Sequence, residues 1–486
     1  MNVTRKAKVE TPEQKARRKA KEARELERLL KEREKPKARG YFAYFIFIAA
    51  LVYLVAEVTA QTGNYMQTIL AQVLITPLTG SPESASTILS LLGYISLAGS
   101  ALCVVVKPLS DRYGRKPFLI INTLGMGIGL FLVGVSGSIP VYLLGSFIIA
   151  FFIPHEMQSL YIQECAPKKY RGTVFSIIKT LGSSGLFLIA WLMEIFIKPG
   201  DYSGWNWVYL IPAAVAGIIA ILAVFFMRES DVFLNARIAA LQRTDEERAR
   251  IAVEDNAAAS NGGFFTALRY CLRDKQLFWL LIAGGFVLWI MLVTGDYSTI
   301  MAYGYAKADI ASGIDIKTAV TNATASYVTE ALKMFAVGNA SMQIIPGVIG
   351  DFLGRKKAMI TMCTLSEVSF VLYFYGCNAG WTPYLVGFLC GATVGCYWAS
   401  NDLAVLMTSE SAPTNLRASI ITVQSVASGV IYAVAMIAQL IAKAVFMNDA
   451  MLGWIILCIS VPGYIVVTLI MLFKVRDTAG TDMNGI

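Results

Sequence analysis

The chain has 486 residues, 56% of them hydrophobic and only 15% charged, with a mean hydropathy of +0.58. Soluble globular domains carry roughly 25% charged residues, so a deficit this large excludes an ordinary water-exposed surface and points to lipid. The net charge of +9 does not signal nucleic acid. Its basic residues gather in a front tail and in short loops between apolar blocks, which is a topology signal rather than a basic groove.

The first forty residues are charged, so no cleavable signal peptide is expected. Arg5 to Arg39 is rich in Lys, Arg, Glu and Ala. The stretch KEARELERLLKERE predicts a solvated helix ending before Pro36, with contact to anionic lipid as the alternative. Twelve apolar blocks follow, at about 41–65, 86–106, 117–138, 140–163, 172–196, 206–227, 277–300, 328–349, 357–378, 382–405, 418–443 and 452–474. Each is near the roughly 20 residues a spanning helix needs. In lipid each must be helical, because unpaired backbone finds no water there.

The loops alternate in charge. One set carries DRYGRK, PKKYRG, the segment from Arg228 to Lys275, GRKK, TNLR and KVRD. The other holds only Lys198, Lys307, Lys317 and Lys443. The positive-inside rule places the first set, and both termini, in the cytoplasm. The expected organisation is a charged tail (1–40), a six-helix bundle (41–227), a cytoplasmic linker (228–275), a second six-helix bundle (276–474) and a short tail (475–486). Met301 to Val328 reads as the longest outer loop, with an N-A-T sequon at Asn322. Eight cysteines lie mostly in or beside apolar blocks, without a C-x-x-C pair, and there is one histidine. Packing cysteines are expected, with no disulfide framework, metal site or cofactor.

The two halves repeat. DRYGRK from Asp111 returns as DFLGRK from Asp351, an offset of 240; ECAPKKYRG from Glu164 returns as ESAPTNLRA from Glu410, an offset of 246. Parallel six-helix repeats are what a rocking two-bundle transporter requires. On these motifs, over about Tyr41 to Asp477, the chain resembles the major facilitator superfamily. The loop motif G-x-x-x-D-R-x-G-R-K matches Lys107 to Lys116, with Lys107 in place of the first Gly, and Gly347 to Lys356, with Phe352 in place of the basic residue. The E-x-x-P-x-x-x-R-G pattern, with MRESDVFL after helix six, is similar to the sugar-porter and organic-ion (metabolite:proton symporter) branches. The sugar porters' paired Gln on helix seven and basic residue on helix four are absent. The fold expected is an all-α membrane protein, with twelve transmembrane helices in two pseudo-symmetric six-helix bundles.

The resemblance implies a cytoplasmic gate at Asp111, Arg112, Gly114, Arg115, Glu164, Arg171, Asp351, Gly354, Arg355, Glu410 and Arg417. Its aspartates would cap or pair with helix ends. Its ion pairs would lock the bundle seam in the outward-facing state and break as the inner gate opens.

Ionisable groups within apolar blocks are expensive in hydrocarbon and are functional candidates by default. Glu57, Gln61 and Asn64 fall at i, i+4 and i+7 on helix one, so one face is polar and should line a cavity. Asp296 on helix seven stands 55 residues before Asp351, and Glu57 stands 54 before Asp111, so the two acids hold nearly equivalent places. The resemblance places helices one and seven face to face. His155 and Glu156 on helix four correspond to Asn401 and Asp402 on helix ten. Glu156 and Lys179 both lie ~12 Å in from the cytoplasmic face, which predicts an ion pair. At Asp402 the matched position, 425, is serine rather than lysine. Asp402 is therefore expected to be the freer proton carrier, with His155 able to titrate near neutrality. Glu194, Glu330, Lys333 and Glu367 receive no transport role, although Glu330 and Lys333 are spaced to pair.

With no G-x-x-x-x-G-K-[ST] motif and no nucleophile–base arrangement, ATP-driven transport and enzymatic chemistry are not expected. The reading is a secondary transporter working by alternating access, a monomer in the plasma membrane. It would move a small polar solute, cationic, zwitterionic or neutral, by proton-coupled symport. The alternatives are a uniporter, exchanger or exporter of organic cations or drugs, and, from another class, a non-transporting sensor or receptor on this scaffold.

Overall fold

The computed structural model describes residues 12–35, 40–93, 114–153, 171–198, 201–244, 264–412 and 417–478, with single residues between them. Asp111, Arg112, His155, Glu156 and Glu164 lie outside the described residues, as do the side chains of Arg171, Asp351 and Arg417.

Among the described residues, helix occupies each of the twelve expected positions. After a tail helix α1 (Pro12–Glu34) come α2 (Tyr41–Leu70), α3 (Ala85–Gly93), α4 (Arg115–Gly134), α5 (Ile139–Phe152), α6 (Arg171–Ser183), α7 (Gly185–Phe196) and α8 (Trp207–Phe226). The linker carries α9 (Asp231–Gln242) and α10 (Phe264–Arg273). The second half has α11 (Lys275–Ile290), α12 (Tyr297–Ala311), α13 (Ile316–Ala323), α14 (Thr329–Leu353), α15 (Arg355–Asn378), α16 (Pro383–Ser411), α17 (Arg417–Phe446) and α18 (Leu452–Phe473). Eight of the described helical stretches are by themselves long and apolar enough to cross a membrane. Ile128, Trp191, Ile218, Ile221, Val430 and Ile437 lie exposed on the outside of these spans, where lipid replaces water as the solvent.

Two boundaries differ from expectation. The first span does not stop near residue 65. It continues through a π-turn (Ala71–Ile75) to Thr79, where Gly80 ends it at φ 66°. Gln67 and Gln72, beyond the expected end of the span, are buried. Likewise the outer loop predicted over Met301 to Val328 is mostly helical. Span seven breaks at Gly295–Asp296 and resumes as α12; Gly313 (φ 93°) turns the chain into α13, capped by the Asp315 side chain. Tyr297 to Gly304 are buried without a break and exposure begins only at Lys307, so the first two turns of α12 are enclosed on all sides by protein. Asn322 sits within α13, half-buried.

The halves align in parallel. The Ser298 hydroxyl donates to the Asn64 carbonyl at 2.6 Å, and Lys179, eight residues into α6 from one repeated loop, pairs with Asp402, nine residues before α16 ends at the other. The starts of both halves therefore share one end of the molecule, the motif end, with the linker and the repeated loops. At the opposite, far end the halves share one hydrophobic core. There Phe335 packs edge-on to Tyr65 and stacks on Tyr297, with ring centroids 5.5 and 4.9 Å apart. Nearer the motif end, N-terminal residues such as Phe45, Val52, Phe118 and Ala223 form a separate cluster, and Ala267, Leu277 and Ile420 form another in the C-terminal half.

The tail helix is docked rather than fully solvated. Leu29 packs on Leu234 and Ile238 of α9, Arg237 pairs with Glu25 at 2.8 Å, and the Arg228 guanidinium donates to the carbonyls of Glu32 and Lys35.

Candidate functional site

Small residues set the geometry of the N-terminal half. Helix α6 runs into α7 through Gly182 and Gly185, where a Cβ would come within 2.6 Å of Tyr53 and 2.7 Å of Leu54 on α2. Glycine at both places lets the backbones approach closely. Lys179, one turn before Gly182, is thereby carried to the seam. There its ammonium lies 3.7 Å from Asp402 of α16 and within electrostatic reach of Glu57, which hydrogen-bonds Tyr53. Asn401 is half-buried beside Asp402. Asp402 thus has a lysine opposite, contrary to the sequence expectation. The repeat relates equivalent positions within the two halves, whereas this pair joins non-equivalent helices across them.

Asp296 occupies a different place. It has φ 55°, in the left-handed region that few residues besides glycine, asparagine and aspartate visit. Its carboxylate is buried, 2.5 Å from the Lys443 ammonium, and accepts from Gln67 at 2.5 Å and Gln439 at 3.4 Å. Lys443 also donates to Ser90 at 3.1 Å. The sequence pattern puts Lys443 in an outer loop, but it is a buried residue of the last turn of α17. A lysine in the apolar run AMIAQLIAKAVF, one turn after Gln439, was the available signal for this site.

The predicted equivalence of Glu57 and Asp296 does not hold in depth. Asp296 faces Gln67, ten residues or ~15 Å beyond Glu57 along α2. Residue counting assumed an unbroken helix seven, but the chain leaves the α-helix over Met291–Asp296. The polar face of α2 also divides. Gln61 accepts from the Tyr297 hydroxyl at 3.0 Å and from Asn64 at 3.3 Å, so both amides belong to the junction with span seven. Around them, Thr68 meets Thr299 at 3.1 Å, and Lys333 bridges Glu330 in its own helix and Glu194 of α7, at 2.8 and 2.9 Å.

At the motif end, Gly114 and Gly354 take φ 109° and 87° to start α4 and α15. Their helix ends are capped by acids that the sequence reading did not name. Glu229 accepts from the N–H groups of Arg115 and Lys116 at 2.9 and 3.2 Å, and Asp477 accepts from that of Arg355 at 3.1 Å. Burial raises the Glu229 carboxyl above its ordinary value, against the pull of these N–H groups. Arg228–Glu229 and Arg476–Asp477 are a further repeat match, at an offset of 248, that would have revealed both caps. Glu410 pairs with Arg355 at 3.5 Å and accepts from Thr478 at 2.5 Å. This pair lies within the C-terminal half and not across the seam as expected.

The family model of the Major Facilitator Superfamily matches residues 40–436. The chain belongs to the Major Facilitator Superfamily. Like that family, it is a multi-pass integral membrane protein and not an enzyme. It is similar to the "Glucose transporter GlcP" of Staphylococcus epidermidis, 28% identical over 176 residues, a match that spans only 36% of each chain. It is 25% identical over 410 residues to the "Probable metabolite transport protein CsbC" of Bacillus subtilis, covering 79% of this chain and 81% of that one. Its fold is that of a D-xylose-proton symporter crystal structure, with a TM-score of 0.58 at 17% identity over 90% of this chain and 99% of the other.

Proposed function

We propose that this superfamily member is a proton-coupled importer of a small, hydroxyl-rich solute of monosaccharide size, working by alternating access. The observation that carries the reading is the charged group Glu57, Lys179 and Asp402. It bridges the two halves on the side of the junction from which the hydrophobic cores divide, with Lys179 largely covered and the Asp402 carboxylate accessible to a solute. Carboxylates and amides hydrogen-bond hydroxyls well. Similarity to a glucose transporter, a metabolite transporter and a D-xylose–proton symporter supports the solute class and the proton.

In this mechanism the structure corresponds to the inward-facing state. Solute and proton enter from the far end when the junction of α2 with span seven parts. A proton on Asp402 or Glu57 weakens their hold on Lys179, freeing polar groups for solute. Closure at the motif end then completes the exchange of access, with Arg115, Arg355 and Glu410 placed to take part. The basic loops and both termini face the cytoplasm, the membrane is the plasma membrane, and the monomer is the working unit. Its exposed apolar faces meet lipid, and it has no nucleic-acid partner. The excess of acids over bases in the central group favours one second reading, a carrier of organic cations that bind these acids directly.

The test is uptake of labelled D-xylose or D-glucose into proteoliposomes with an acidic exterior. Accumulation above equilibrium that collapses with the proton gradient is expected. Equilibration without accumulation would remove the proton. Uptake of organic cations in place of sugars would establish the second reading.

A further inference from the structure

A second carboxylate crosses between the halves at the far end, remote from the Lys179 group. Asp449, in the short 3-10 turn Asp449–Met451 before α18, is 1% exposed. Its two oxygens accept from the backbone N–H groups of Ser86, at 2.9 Å, and Thr87, at 2.8 Å. These are orphan donors in the first turn of α3. A helix in one half is therefore capped by a side chain from the other.

The turn that delivers it is built for the purpose. Met447 takes φ 45°, a strained value for a non-glycine residue, and the Asn448 side chain fixes the next turn by accepting from the Ala450 N–H at 2.9 Å. On α12, the Tyr303 hydroxyl lies 3.1 Å from the Pro82 carbonyl of the first half and 3.5 Å from Asp449. Its single proton serves one acceptor at a time. When it is given to Pro82, the phenol oxygen is left to receive a proton from a neutral Asp449.

We infer that Asp449 is a proton-binding latch: ionised, it holds the far end shut by capping α3, and on taking a proton from the outer medium it lets that end open. A neutral carboxyl keeps one good acceptor and presents a hydroxyl where an acceptor was needed, so the two N–H bonds cannot both persist. The ionisable groups facing it from the packed elements are few. Tyr303 comes from α12 and Glu83 from the 3-10 turn Pro82–Ser84, Glu83 acting on Tyr303 by its charge. The segments α3 and α18 bring no acid or base to it, and Lys443 of α17 is engaged by Asp296 and Ser90. The direction suits symport. A carrier that stays outward-facing once protonated, until solute binds, does not leak protons.

The inference rests on the alternating-access reading, and its test is independent of solute. The full-length protein in lipid nanodiscs would carry spin labels at Leu78→Cys and Ile314→Cys, exposed far-end sites on the two halves. The distance between them would be measured by electron–electron resonance as pH is lowered. Wild type should shift towards longer distances. Asp449→Asn, or Asp449→Ser should the first fail to fold, should be open at every pH, with the open-to-closed ratio raised about tenfold per charged hydrogen bond lost. Asp309→Asn, at another far-end acid and outside both the latch and the Lys179 group, should respond as wild type does. A wild type with no response, or a neutral variant that still titrates like wild type, would overturn the latch. Failed sugar uptake with the distance response intact would count against the transport reading alone.

Discussion

Asparagine at position 296 keeps the shape of aspartate and tolerates the same left-handed backbone, so Asp296→Asn isolates the loss of charge. The Lys443 ammonium is 2% exposed, and its partners are Asp296 and the Ser90 hydroxyl. Without the carboxylate it becomes an uncompensated buried cation. Breaking one side of a buried pair costs about 3–5 kcal/mol, more than the pair contributes as a whole. Lys443→Met in the same chain removes the stranded charge and leaves an unbranched apolar side chain of similar length. The double variant should therefore recover most of the loss, a favourable coupling of about 2 kcal/mol or more. Thermal unfolding of the four proteins in one detergent closes the cycle. An Asp296→Asn variant as stable as wild type, or a double variant no better than the worse single one, would refute the description of this pair as buried and mutually dependent.

Gly182→Val should push α6 away from Tyr53, cost about 1–3 kcal/mol by overpacking, and lower uptake by moving Lys179 from Asp402; thermal unfolding and transport together check this. Burial raises the Glu229 carboxyl in the folded state, so its contribution to stability is full below the unfolded value and is lost as pH rises through the folded one. Glu229→Gln should flatten that decline, read as the melting temperature of both proteins across a pH series from mildly acid to neutral. Leu234→Asp should release the tail helix from α9, seen as faster tryptic cleavage among the lysines and arginines of α1, with sugar uptake retained.

Much of the architecture was legible in the chain itself. Apolar blocks of the right length, basic residues in alternate loops and two motif repeats fix a two-half helical membrane protein, because lipid permits so few alternatives. Glu330 with Lys333 was readable too, since a three-residue spacing on one helix decides it. What escaped were contacts between non-equivalent helices. Lys179 with Asp402, Lys333 with Glu194 and Asp449 with α3 are joined by the docking of one half on the other, and no offset along the chain encodes that. Polar residues near the ends of spans misled for a related reason. Gln67 and Lys443 look like exits from the membrane but are buried where the two halves meet, and Gln72 is buried within the first half. The break at Gly295–Asp296 also shifted Asp296 away from the depth of Glu57, which residue counting cannot detect.

The central claim is that solute and proton cross together through the group around Asp402 and Lys179. A pH-sensitive dye sealed inside proteoliposomes, with no gradient imposed, tests it most directly. Adding sugar outside should acidify the lumen in step with sugar entry, and Asp402→Asn should abolish the acidification. Sugar entering the wild-type vesicles with the internal pH unmoved would contradict the account.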